Sequence, residues 1–200
     1  MSSHLQKFDN DSDSMDSDDS KIADEHLQAI NLKQYVIDGD GNCVFSAIAH
    51  MLQTRMHWCT ATKNHLLAAG IPEPRADQLR YMFVNKFLER KRDYENQFGQ
   101  TFKREDIEIY LQDGMYNTNV GDFVLLVLVN ILKLPITAVT PFKSCPLLPI
   151  IPKESISHNP LYVAFIAHNN HYNAVQEDQH TTIQSSSDPS FHGVPSSNKV

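Results

Sequence analysis

The 200-residue chain has few cysteines, a single tryptophan, no long apolar run and no excess of positive charge. Each shortage excludes something. Cys43, Cys59 and Cys145 are odd in number and widely spaced, and no CxxC pair exists. Neither a disulfide framework nor a thiolate zinc site is therefore supported. That pattern suits a reducing compartment, so the expected location is intracellular, cytoplasmic or nuclear. The longest uninterrupted apolar run, Phe123 to Val129, is too short to span a bilayer. The opening MSSHLQKFDN lacks the apolar stretch of a signal peptide. No membrane partner is expected.

What the chain does have is acid at one end. The formal net charge is -7, and residues 1–20 carry six aspartates against one lysine. The remainder is nearly neutral, which argues against nucleic acid as a partner. The segment DNDSDSMDSDDS holds almost no apolar side chains to offset the entropy of ordering. Residues 1–30 are thus expected to form a disordered acidic tail, solvated or open to phosphorylation on its serines. Residues 179–200, rich in Ser, Pro and His, read as a second tail. Residues 31–178 are left as the folded unit, and with 41% apolar residues overall the chain can bury a core without staples.

Within that unit, CVFSAIAHMLQTR puts Val44, Phe45, Ile48, Met51 and Leu52 on one helical stripe. ADQLRYMFVNKFLERKRDYENQF repeats the spacing with Leu79, Met82, Phe83 and Phe87, and its Glu89–Arg92 charges read as a solvated face. EDIEIYL suggests a short helix. GDFVLLVLVNILKLP is read as a buried helix ending before Pro135. ITAVT (136–140) and LYVAFIA (161–167) follow as strands, the second buried on both faces. HYNAV pairs back through a turn at Asn169-Asn170, where Asn tolerates positive φ. Helices packed on a small central sheet make an α/β (α+β) domain.

One stretch carries chemistry. In DGDGNCVFSAIAHML a polar, Gly-rich turn leads into a helix that starts at Cys43. A thiol in the first turn of a helix sits beside unpaired N–H groups and the positive dipole end, which should lower its pKa. The backbone amides of such a turn can also stabilise an oxyanion. An isolated cysteine is equally at home as a small buried hydrophobe, and Cys59 and Cys145, without such a turn, are read that way. A thiolate nucleophile needs a base and a group to orient it. His171 opens the last strand, and period two places Asn173 on its face, with Tyr172 pointing away. His168 and His171 could share a metal, but two ligands without a third make no site; no metal and no organic cofactor are expected.

The block DGDGNCVFSAI, followed much later by LYVAFIAHNNHYNAV, resembles the ovarian tumour (OTU) family of cysteine proteases. In that family an Asp-Gly-x-Cys block opens a helix and a terminal strand carries His-Tyr-Asn or His-Tyr-Asp. YLQDGMYNTNVGDFVLLVLVNILKLPITAVT is similar to the family's helix before its Pro-Ile strand. The resemblance implies a papain-related fold with Cys43 as nucleophile, His171 as general base and Asn173 as its orienter. It makes Asp40 the motif aspartate, in a third catalytic role or in holding the loop, and makes Gly41 and Asn42 the oxyanion loop. Asp38-Gly39 is then a spacer. Val44 replaces a common Leu, and Val120 stands where a Trp often precedes the Gly. The implied activity is thiol-dependent hydrolysis of isopeptide bonds at the C-terminus of ubiquitin, and the implied partners are ubiquitin, polyubiquitin and ubiquitinated proteins, met by a monomer. Two alternatives share these residues: a module that binds ubiquitin without turnover, and a cysteine protease of a viral or mobile element.

Overall fold

The computed structural model describes residues 18–176. The acidic residues 1–17 and the stretch 177–200 lie outside them, and with them nearly all of the two expected tails. Eight helices and five strands alternate along the described residues: α1 (Asp18–Gln28), β1 (Lys33–Tyr35), α2 (Cys43–Trp58), α3 (Thr60–Ala68), α4 (Ala76–Glu89), α5 (Lys91–Phe98), α6 (Arg104–Glu108), α7 (Thr118–Gly121), α8 (Val124–Leu132), β2 (Ile136–Val139), β3 (Leu147–Ile150), β4 (Leu161–Ile166) and β5 (His171–Gln176). None of these helices is long and apolar enough to cross a membrane.

The strands form one sheet in the order β1-β5-β4-β2-β3, with β2 and β4 parallel and the other neighbours antiparallel. Leu161, Val163, Ala164 and Ile166 of β4 are buried, and so is every residue of β2, because helices cover the sheet. Gln34 pairs with Val175 in the β1–β5 register, so period two gives Gln34, Asn173 and His171 one face. Tyr35, opposite Ala174, takes the other face and stacks on His50 of α2 at 4.1 Å between ring centroids. α1 meets the Gln34 face through hydrogen bonds from Gln34 to Ser20 and Asp24. The sheet is therefore packed between helices.

α2 begins where expected. Gly41 takes φ +77, the left-handed region, and the Asn42 carbonyl accepts the first helical bond, from the Ser46 N–H. Val44, Phe45, Ile48, Met51 and Leu52 are all buried. Phe45, Phe83, Phe87 and Tyr110 meet edge-on or tilted to make an aromatic core.

Four features differ from the sequence reading. α1 lies within the stretch expected to be a tail, with Ala23 and Leu27 wholly buried, so the boundary at residue 31 is too late for residues 18–28. Two apolar residues four apart are enough to seat a short helix whose other faces stay in water. The long helix expected from Ala76 to Phe98 breaks at Arg90. The break lets Tyr94 and Phe102 close around Phe87 at 5.0 Å. The EDIEIYL helix is shortened, α6 giving way to a 3-10 turn over Ile109–Leu111. Finally, β1, β3 and α3 are additions. β3 contains Pro149, which an edge strand tolerates because its outer N–H positions need no partner.

Candidate active site

The turn before α2 and the turn before β5 face each other across a cleft of about 100 Å³. Gly39, Gly41 and Cys43 line one side, Asn170, His171 and Tyr172 the other, and Tyr116 joins them. The β4–β5 connection is a 3-10 turn over Ala167–Asn169, and Asn170 at φ 52 returns the chain into β5. That left-handed residue sets His171 at the first position of the strand.

Asn173, buried in β5, accepts at Oδ1 from His171 Nε2 at 2.9 Å. The same oxygen accepts from the Ile37 N–H at 2.9 Å, and Asn173 Nδ2 donates to Gln34 Oε1 at 2.7 Å. The other ring nitrogen, His171 Nδ1, looks toward the cysteine loop, 4.0 Å from where a Cβ on Gly39 would stand. Cys43, His171 and Asn173 are thus gathered in one place.

Asp40 lies elsewhere in the network. Its Oδ1 accepts from the Asn42 N–H at 2.8 Å and its Oδ2 from Asn42 Nδ2 at 3.1 Å. Asn42 Nδ2 also donates to Asp113 at 2.9 Å, and Asn42 Oδ1 accepts from the Gly114 N–H at 3.4 Å. Asn42 therefore spends its N–H and its side chain on joining two loops, and its N–H faces a carboxylate. The N–H groups of Gly41 and Cys43 have no partner among the described residues. A Cβ on Gly41 would collide with the Gly114 carbonyl, and one on Gly114 would stand 2.8 Å from the Asp40 carbonyl. The two loops touch backbone to backbone, and only glycine permits that approach.

Arg80, which the sequence reading passed over, fastens the contact. Arg80 is 4% exposed, and its guanidinium donates to the carbonyls of Gly41, Tyr110, Gln112 and Met115 at 2.5–3.0 Å. It also lies over the rings of Phe45 and Tyr110, 5.0 and 5.7 Å from their centroids. Its signal in sequence is weak: an arginine on the apolar face of α4, directly after Leu79, where a solvated charge does not belong. Gln34 is the second omission.

The Cys43 thiol does not have the depressed pKa expected at a helix start. Burial pushes it up, and this outweighs the N–H groups of Tyr172 and Val44 that favour the thiolate. Asp40 adds to the rise and the Arg80 cation opposes it. Burial also pushes the Tyr116 phenol up to about 12, so its O–H stays protonated. Its ring rests on Gly121, where any Cβ would collide with it. Val120 before it is wholly buried. Among the described residues no group of three His, Cys, Asp or Glu side chains could hold a metal. His168 instead donates its N–H to Asp19 at 2.9 Å.

No protein-family profile matches the sequence, and no curated protein matches it. Solved structures do. The chain is similar to the OTU domain of OTUD1 with a TM-score of 0.54 and 17% identity, over 79% of this chain and 94% of that one. It has an OTU-like fold. A second OTU domain, solved in complex with ubiquitin, matches with a TM-score of 0.50 and 13% identity, over 72% of this chain and 69% of that one. At these identities the likeness is one of fold.

Proposed function

We propose that this OTU-like domain is a thiol-dependent deubiquitinase that hydrolyses the isopeptide bond between the ubiquitin C-terminus and a lysine. The observation that carries the reading is the cleft itself. A cysteine at a helix start shares it with a histidine whose far nitrogen is held by a buried asparagine. That is the set of groups acyl transfer needs.

Cys43 gives its proton to His171 Nδ1, and the resulting thiolate–imidazolium pair offsets the cost of a buried thiolate. Sγ attacks the carbonyl carbon, and the oxygen takes the negative charge facing the Gly41 and Cys43 N–H groups. The tetrahedral species collapses, the C–N bond breaks, and the lysine amine leaves with the proton from His171. Water then attacks the thioester, His171 takes its proton, and the ubiquitin carboxylate and the Cys43 thiol are released. An OTU domain bound to ubiquitin among the similar structures supports the partner. The free cysteines Cys43, Cys59 and Cys145 suit an intracellular site of action.

The test is hydrolysis of a ubiquitin–lysine isopeptide substrate by the full chain. Turnover that vanishes in Cys43→Ala supports the reading. Unchanged turnover in Cys43→Ala contradicts it, as does a folded wild-type protein that releases no ubiquitin.

A further inference from the structure

α1 contributes no group to the chemistry above, yet its hydrogen bonds reach β1 and the turn that precedes the strand carrying His171. Asp19 accepts from the His168 N–H in the turn before β5. Gln34 Nε2 donates to the Ser20 carbonyl at 3.1 Å and to Asp24 Oδ1 at 2.8 Å. His26 Nδ1 lies 2.8 Å from the Thr140 carbonyl and pins the same helix beside the end of β2.

The direction of these bonds matters more than their number. A backbone carbonyl and an ionised carboxylate can only accept, so the Gln34 amide must turn its nitrogen toward α1. Its Oε1 is then turned toward Asn173, and only a donor can meet it there. Asn173 presents Nδ2, at 2.7 Å. That choice aims Asn173 Oδ1 at His171 Nε2. An amide oxygen carries no proton, so Nε2 must carry one. In the neutral ring Nδ1 is left bare, on the side of Cys43. The Ile37 N–H, which can only donate, gives the same answer from the other end of Asn173. Every donor and acceptor from Asp24 to the imidazole is thereby fixed.

We propose that Asp24 and Gln34 are positioning residues: they fix the orientation of the Asn173 amide and, through it, the His171 tautomer that offers a bare Nδ1 to the Cys43 thiol. The proposal deepens the deubiquitinase reading and rests on it for its kinetic consequence, though not for its structural one.

Two measurements test it. The first is long-range ¹H–¹⁵N correlation spectroscopy of His171 in a Cys43→Ala background, where no thiolate can charge the ring. With Gln34 intact, Nε2 is protonated and Nδ1 bare; with Gln34→Met, the Ile37 N–H alone directs the Asn173 amide and the Nδ1-protonated tautomer becomes detectable. The second is steady-state kinetics with Cys43 present, all variants matched for folding by thermal unfolding. Gln34→Met loses about twofold in kcat with KM unchanged, in proportion to the fraction of rings in the wrong tautomer. A single Nε2-protonated tautomer in Gln34→Met would overturn the relay, and so would an undiminished kcat in that variant. A wild-type chain without ubiquitin turnover contradicts the deubiquitinase reading alone, since the spectra still decide the relay.

Discussion

Asn173 and Asp40 both stand close to the Cys43–His171 pair, but their hydrogen bonds give them different work. Asn173 holds the imidazole, whereas Asp40 holds Asn42 and the loop that carries the free N–H groups. His171→Ala removes the base and should cost about 10²–10⁴-fold in kcat. Asn173→Ala should cost about ten- to a hundredfold in kcat with little change in KM, because orientation matters mainly in the transition state. Asp40→Ala should lose activity as its loop loosens, whereas Asp40→Asn keeps one of the two acceptors that hold Asn42, removes a charge that raises the Cys43 pKa, and should lose less activity. Steady-state cleavage of a fluorogenic ubiquitin substrate separates these cases. The thiols give a second check at this scale. The thiolate is the form that alkylates, so a raised pKa moves the rise in rate to higher pH. At Cys59 burial raises the pKa, but the Thr62 hydroxyl, the Thr62 and Ala61 N–H groups and nearby Arg55 together outweigh it and draw the thiol down. In His171→Ala, where no imidazolium offsets burial, Cys43 should therefore alkylate at distinctly higher pH than Cys59. Mass-spectrometric mapping of iodoacetamide labelling against pH measures this, and a Cys43 that reacts first at low pH in that variant would contradict it.

At the scale of elements, α1 and the pair of loops under Cys43 decide whether the site is held. Leu27→Ala empties a wholly buried position and should cost about 2–5 kcal/mol, read from urea unfolding. Deleting residues 1–28 should lower both unfolding temperature and kcat, because the bonds to Gln34 and His168 go with the helix. Deleting residues 1–17 should change neither. Arg80→Leu leaves four carbonyl groups without their donor. With each unsatisfied buried acceptor costing about 1–3 kcal/mol, it should be among the most destabilising single changes. Much of this level was legible in the sequence. α2 follows from a Gly-rich turn before apolar residues at helical spacing, and the β4–β5 hairpin follows from Asn169-Asn170 between two apolar runs. α1 was not legible, because Ala23 and Leu27 are its sole wholly buried anchors amid acidic residues. Nor was the break at Arg90, where the apolar spacing runs on and only the closure of Tyr94 and Phe102 over Phe87 marks the turn. Cys43, His171 and Asn173 could be proposed from position along the chain. Arg80 and Gln34 could not, because what they do depends on carbonyls and amides brought together by folding.

The whole molecule joins an OTU-like scaffold to a partly buried thiol whose pKa burial raises. On the proposed function, this thiol becomes a nucleophile when His171 lies beside it and a ubiquitin tail fills the cleft. The dependence on both makes one experiment decisive: reaction of the full chain with ubiquitin bearing a C-terminal thiol-reactive group, followed by intact-mass analysis and peptide mapping. The account predicts one ubiquitin added per chain, linked to Cys43, lost in Cys43→Ala and strongly slowed in His171→Ala. An adduct on Cys59 or Cys145, an adduct that survives in Cys43→Ala, or a folded chain that forms none would contradict it.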